Sequence, residues 1–172
     1  KEPGLNVLPP GVERHVVSAG GLTGLQIFPD DEIEIINEEG NQICEIICFD
    51  KDGKSELGIL NQKENCKKSF IKELLKGKDE SSLITNLQLK KRNLDINKSK
   101  SSILFDEQTP SGEKIKIKSK DKCYVIFAAP QNNMLVSEQN PSSDLTLFIK
   151  RYKIVNDKEL SIIPDPIYVP NY

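Results

Sequence analysis

Polar and apolar residues alternate most clearly over Pro29–Asp50, PDDEIEIINEEGNQICEIICFD. Glu32, Ile33, Glu34 and Ile35 run with a period of two, the mark of a strand with one wet face. Asn37–Asn41 is a turn cluster in which Gly40 is free to take positive φ. A second run follows, with Ile43, Ile47 and Phe49 on one face and Cys44, Ile46 and Cys48 on the other. Two such runs about a polar turn predict a β-hairpin. The second run is apolar on both faces, so the hairpin is expected to be sandwiched rather than to form an edge.

The same pattern extends along the chain. Glu13–Ser18 predicts a strand ended by Gly20 and Gly21, and Leu25–Phe28 a short strand stopped by Pro29. The period then changes. Cys66, Phe70, Ile71, Leu74 and Leu75 recur at helical spacing within 62–76, and Gly77 is a good stop. A second helix is predicted to about Arg92, capped by Ser81 or Ser82, with Leu83, Ile84 and Leu87 turned inward. Strands return at Ser102–Phe105 and at Lys114–Lys118, where lysines alternate with Ile115 and Ile117. Cys123–Ala128 is almost wholly apolar and predicts a central strand; Leu145–Tyr152 alternates again. Polar residues 130–143 between them predict a long loop.

These elements give a mostly β (α+β) domain, an antiparallel β-sandwich or barrel-like fold with about two helices inserted near residues 60–93. Alternating βα units are missing, which argues against a doubly wound sheet. One domain is expected over 1–160. Residues 161–172, with Pro164, Pro166 and Pro170, read as a proline-rich linker toward a following domain. The chain opens on Lys1 rather than methionine, and both ends look cut, as in one module of a longer protein.

Charge narrows the function classes. The formal net charge is −2 and tryptophan is absent. There is no basic excess to grip phosphates and little aromatic surface for stacking bases, so no nucleic-acid partner is expected. No apolar run approaches the ~20 residues of a membrane span, and no export signal is visible. A cytoplasmic location and no membrane partner are therefore expected. Cys44, Cys48, Cys66 and Cys123 form no CxxC pair, and Cys44 and Cys48 lie about 13 Å apart by strand rise. That is too far for a mutual disulfide or one shared zinc, and reduced, buried thiols are the expectation.

Candidate chemistry is sparse. His15, the single histidine, cannot build a multi-histidine metal site, and its strand setting fits a structural or surface role. Gly20–Gly24 lacks both the Walker lysine and dinucleotide spacing. Ser111 sits on a turn without the spacing of a nucleophile elbow. Glu34 reads as wet-face, whereas Glu45 is flanked by apolar residues and must find partners or be pushed toward its neutral form. If the domain has a pocket, Glu45 is its first candidate, followed by Cys44, Cys48 and Asp106. No catalytic residue and no metal ligand is assigned, although a stand-alone metal hydrolase using Cys66, Cys123 and His15 stands as an outside alternative.

Ala19–Gly53 resembles the opening of the urea-carboxylase-associated domain family. It resembles more closely the N-terminal module of large proteins that end in a folate-binding, glycine-cleavage T-protein-like domain, trimethylamine N-oxide demethylases among them. Leu94–Gly112, Cys123–Pro130, Asp144–Arg151 and Pro164–Pro166 agree with that module in the same order. The resemblance implies a parent demethylase or aminomethyltransferase-like enzyme of one-carbon metabolism. Such enzymes hold zinc through cysteines in the next domain and cleave a methylated amine oxide to a secondary amine and formaldehyde. Tetrahydrofolate in the last domain takes up the one-carbon unit. The Cys–Gly–X–His–Asp kind of run that marks the zinc domain is absent here, so no site residue carries over. What is implied is a non-catalytic companion domain without a cofactor of its own, whose partners are other domains of the same protein or further copies of it. A small-molecule-binding or assembly module is the alternative.

Overall fold

Nine strands, two α-helices and two short 3₁₀ turns make up the described part of the computed structural model, which covers residues 8–131, 142–153 and 163–170. The strands are β1 (Val12–Val17), β2 (Leu22–Ile27), β3 (Glu32–Asn37), β4 (Cys44–Phe49), β5 (Ser101–Leu104), β6 (Glu113–Lys118), β7 (Cys123–Ala128), β8 (Leu145–Lys150) and β9 (Ile167–Val169). Helices α1 (Phe70–Leu75) and α2 (Glu80–Lys91) lie between β4 and β5. One sheet has the order β1-β8-β3-β6 and the other β5-β4-β7-β2-β9. Every ladder is antiparallel. The architecture is therefore the expected antiparallel β-sandwich with two inserted helices.

Three layers result, and the alternation of β4 explains why. Cys44, Ile46 and Cys48 point into the core between the sheets, where they meet Ile33, Ile35, Val125 and Phe127. Ile47 and Phe49 point the other way, into a second core under Ile71, Leu75 and Leu89 of the helices. A strand covered on both faces must be apolar on both, and all six residues of β4 are buried. The same holds for β7, which occupies the centre of its sheet as its composition predicts. By contrast β6, at an outer edge, exposes its lysines.

The expected hairpin is not formed. β3 and β4 belong to different sheets, so the turn at 38–43 is an arch across the sandwich rather than a link within one ladder. Gly40 takes φ +77°, and a Cβ there would lie 2.7 Å from the amide nitrogen of Ser111. β3 instead pairs with β6 and β8. Period-two patterning fixes the face of a strand and leaves its partner open, because Ile33 and Cys44 reach the same core from opposite sides.

Two further expectations change. Residues 62–69 are not helical, and α1 starts only at Phe70. Asn65 instead covers the free edge of β5: its side chain donates to the Ile103 carbonyl at 3.2 Å and accepts from the Ile103 amide at 2.6 Å. Helix α2 is capped by Asp79 rather than a serine. It buries Ser82, Thr85 and Leu89 and leaves Leu83, Ile84 and Leu87 facing outward. At the C-terminal end, Ile167–Val169 of the proline-spaced segment adds β9 to the edge of β2. Gly21 makes this approach feasible, since a Cβ there would sit 1.9 Å from the Val169 carbonyl oxygen. No described helix is long and apolar enough to cross a membrane.

Candidate functional site

Glu45 sits on the helix-facing side of β4 and is fully buried. Its carboxylate is met by four donors. Oε1 accepts from the backbone amides of Phe70 at 2.8 Å and Ile71 at 3.1 Å. Oε2 accepts from the hydroxyls of Ser69 at 2.5 Å and Ser101 at 2.6 Å. Ser69 is also the N-cap of α1, its oxygen accepting from the Lys72 amide at 3.1 Å. One carboxylate thus ties the first turn of α1 to β4 and β5, with its charge at the positive end of the helix. Both oxygens are saturated with donors. That geometry suits an anchor and leaves no lone pair poised to take a proton from a substrate.

Beside this anchor lies a cavity of about 380 Å³, lined by Glu45, Cys66, Ser69, Phe70, Glu107 and Gln131 among others. The Cys66 thiol is half-buried and donates to the Lys68 carbonyl at 3.1 Å. Burial and the charge of Glu45 push it up from its ordinary range, so it stays a thiol rather than a nucleophilic thiolate.

The other pocket candidates lie apart from Glu45. Cys44 and Cys48 project from the opposite face of β4 into the intersheet core. Burial, then the charge of Glu45, raises the Cys44 thiol. Cys48 lies diagonally opposite Cys123 across β4 and β7, and this neighbouring thiol together with burial raises it as well. All four cysteines are free thiols. Asp106 is exposed in the turn after β5, where its carboxylate accepts from the Gln108 amide at 2.8 Å and the Thr109 hydroxyl at 3.2 Å. Glu34 faces the outer surface opposite Lys116, 3.6 Å away.

A second polar cluster, which sequence reasoning missed, closes the seam between the sheets at β1 and β9. Arg151, just after β8, has a side chain only 3% exposed. It makes a two-pronged contact with Glu13 at 2.8 and 3.1 Å and reaches Asp31 at 2.9 Å and the Gln26 carbonyl at 2.6 Å. Asp31 also accepts from the amides of Phe28 at 3.0 Å and Tyr152 at 2.9 Å. On the far side of Glu13 stands His15, with Nε2 at 2.9 Å from the carboxylate and Nδ1 at 2.7 Å from the Tyr168 hydroxyl. A carboxylate can only accept, so in the neutral ring Nε2 carries the proton and Nδ1 accepts from Tyr168. Burial and the charge of Glu13 raise Tyr168 above its usual range, which keeps that hydroxyl a donor. The bond from β1 to β9 joins edge strands of the two sheets. In sequence, Arg151 follows Lys150 and looks like any solvent-facing strand end; only its place at the end of a strict alternation hinted otherwise.

Glu13 carries the pH dependence of this cluster. Burial pushes its carboxyl up, but hydrogen bonds and charge from His15 and Arg151 outweigh it and hold it at about 2, against an ordinary 4.5. A carboxyl lowered on folding stabilises the native state above its unfolded value, and that contribution fades as pH falls from about 4.5 toward 2. The urea midpoint is therefore expected to drop across that window, and to drop less in Glu13→Gln. Equal slopes in the two proteins would show that the seam does not carry this acid sensitivity.

Together these features define a class: a two-sheet antiparallel β-sandwich with a helical cover, whose buried charges are spent on holding its own elements together. Among the described residues, no three His, Cys, Asp or Glu side chains gather as metal ligands. Cys66 lies beside α1, Cys123 in the intersheet core and His15 at the β1 seam, so the hydrolase alternative built on these three is corrected by the topology.

No family model matches the chain, and no solved structure matches it. A trimethylamine-oxide aldolase of Ruegeria pomeroyi is 32% identical to it over 169 residues, which is 98% of this chain and 21% of that protein. The chain thus spans about a fifth of the length of the relative it matches.

Proposed function

We propose that this chain is a non-catalytic companion module of a multidomain enzyme of methylated-amine metabolism. The observation that carries the reading is the near end-to-end likeness to one fifth of a trimethylamine-oxide aldolase. The geometry supports it, because the buried carboxylates of Glu45 and Asp31, and the half-buried one of Glu13, each take their hydrogen bonds from the fold itself. On this reading, cleavage of the amine oxide, the zinc site and tetrahydrofolate capture of the one-carbon unit, as in folate-linked demethylases, belong to other domains. The module supplies packing and inter-domain contact.

The test uses the native full-length polypeptide and follows formaldehyde release from trimethylamine N-oxide. Cys66→Ser, Asp106→Asn and His15→Gln each change a group with chemical potential in this module. Each is expected to leave kcat/KM within about twofold, equivalent to about 0.4 kcal/mol of transition-state energy. A loss of about a hundredfold or more in any one of them, with the protein still folded, would place chemistry inside this domain and sink the reading.

A further inference from the structure

Helix α2 is docked with its sides reversed. The face turned to the body of the protein is held by hydrogen bonds: the Ser82 hydroxyl donates to the Leu74 carbonyl at 3.0 Å and the Asn86 amide to the Leu75 carbonyl at 2.7 Å. The face turned to water carries Leu83, Ile84 and Leu87, exposed by 54%, 37% and 60%. Of the five exposed large apolar residues among the described part, three stand on this one helix. Single exposed leucines need no explanation, but a contiguous set does. Leu83 and Leu87 border a groove of about 870 Å³ whose apolar wall includes Leu75, Leu89 and Leu94, and Ile84 stands beside them on the outer face of the helix.

We infer that this groove and the outer face of α2 are the docking site for another domain of the same polypeptide, one that presents an apolar surface rimmed by carboxylates. The inference rests on the companion-module reading and adds the surface to it. Two observations name the occupant. In the matching aldolase, about four fifths of the chain lies outside the region like this one, so there the module has covalent neighbours. The rim of the groove is basic: Lys72, Lys76 and Lys90 line it, against Asp95 alone among acids. Only Lys76 is engaged in an ion pair, with Glu73 at 3.3 Å, and no described salt bridge involves Lys72 or Lys90. An apolar centre with a predominantly basic rim favours a partner of the opposite sign and helps to fix its orientation.

Hydroxyl-radical footprinting of the native full-length polypeptide tests this by reading side-chain exposure at Leu83 and Ile84. Labelling at both is expected to be severalfold lower than their exposure in the module alone would give. Leu87→Glu is expected to restore it, and the pair Lys72→Glu with Lys90→Glu to restore it in part. Leu87 lies outside the core, so its substitution leaves the module folded. Full labelling of Leu83 and Ile84 in the unaltered long polypeptide overturns the docking while leaving the companion-module reading intact. Protection that disappears on dilution, together with a halving of particle mass, assigns the face to a second copy and also overturns it. A native polypeptide no longer than these 172 residues overturns the companion-module reading itself.

Discussion

Glu45→Ala is expected to destabilise the protein by about 3–5 kcal/mol, the cost of leaving several buried donors without an acceptor. The change removes four hydrogen bonds and leaves two backbone amides and two serine hydroxyls facing a void. Two effects add here. Donors stranded without an acceptor lose their desolvation cost unrecovered, and α1 loses the anion at its N-terminus. At six residues α1 is too short to persist on propensity alone, so the damage should be concentrated in it. Hydrogen exchange at Phe70 and Ile71 is expected to rise more than at β7. Glu45→Gln keeps one acceptor for the amides and can donate to the serines, so a smaller loss of about 1–2 kcal/mol is expected. A urea unfolding series on the three proteins decides it. If alanine falls within about 1 kcal/mol of the parent, no better than an ordinary surface change, the anchor role is wrong.

Arg151→Ala should do comparable harm for a different reason. It leaves the Asp31 carboxylate buried without a counter-charge and strips the partly exposed Glu13 of its guanidinium partner, and breaking one side of a buried pair costs about 3–5 kcal/mol. Lysine at 151 restores the charge but not the two-pronged contact with Glu13 or the reach to Gln26, so only part of the loss should return. The triple change Arg151→Met, Asp31→Asn, Glu13→Gln removes all three charges together and is expected to be less damaging than Arg151→Ala alone. If the triple variant were the worse of the two, the destabilisation would come from lost packing around the guanidinium rather than from stranded charge.

What the sequence made legible follows from what local pattern can encode. Alternation placed β4, β6, β7 and β8 correctly because burial on one or two faces is written directly into period two. It also marked Glu45 as buried, since a carboxylate between Cys44 and Ile46 has nowhere wet to go. It could not show that β3 and β4 part company, because an arch and a hairpin present identical residues to the core. It failed on α2 for a sharper reason. Helical patterning predicts inward-facing leucines, whereas Ser82 and Asn86 hold the helix by bonding to the last carbonyls of α1 and leave Leu83 and Leu87 outside. Arg151 was invisible because its partners Glu13 and Asp31 lie 138 and 120 positions away. Long-range charge pairing leaves no trace in a local window.

None of the described ladders is closed by a tight turn. The shortest connection, from β4 to β5, already runs through residues 50–100, and β1 waits for β8 beyond residues 18–144. Loop closure over such spans costs roughly 2–3 kcal/mol more than over a short turn, and non-local pairing is what makes β topologies slow to form. During synthesis the first three strands leave the ribosome with no partner in reach. The first ladder that can close is β4 with β5, once Leu104 has emerged, and β1 stays unpaired until Leu145–Lys150 follows. The nascent chain therefore carries unpaired strand edges, the isoleucine-rich β3 among them, until the later strands emerge, the condition under which partly folded chains are prone to aggregate.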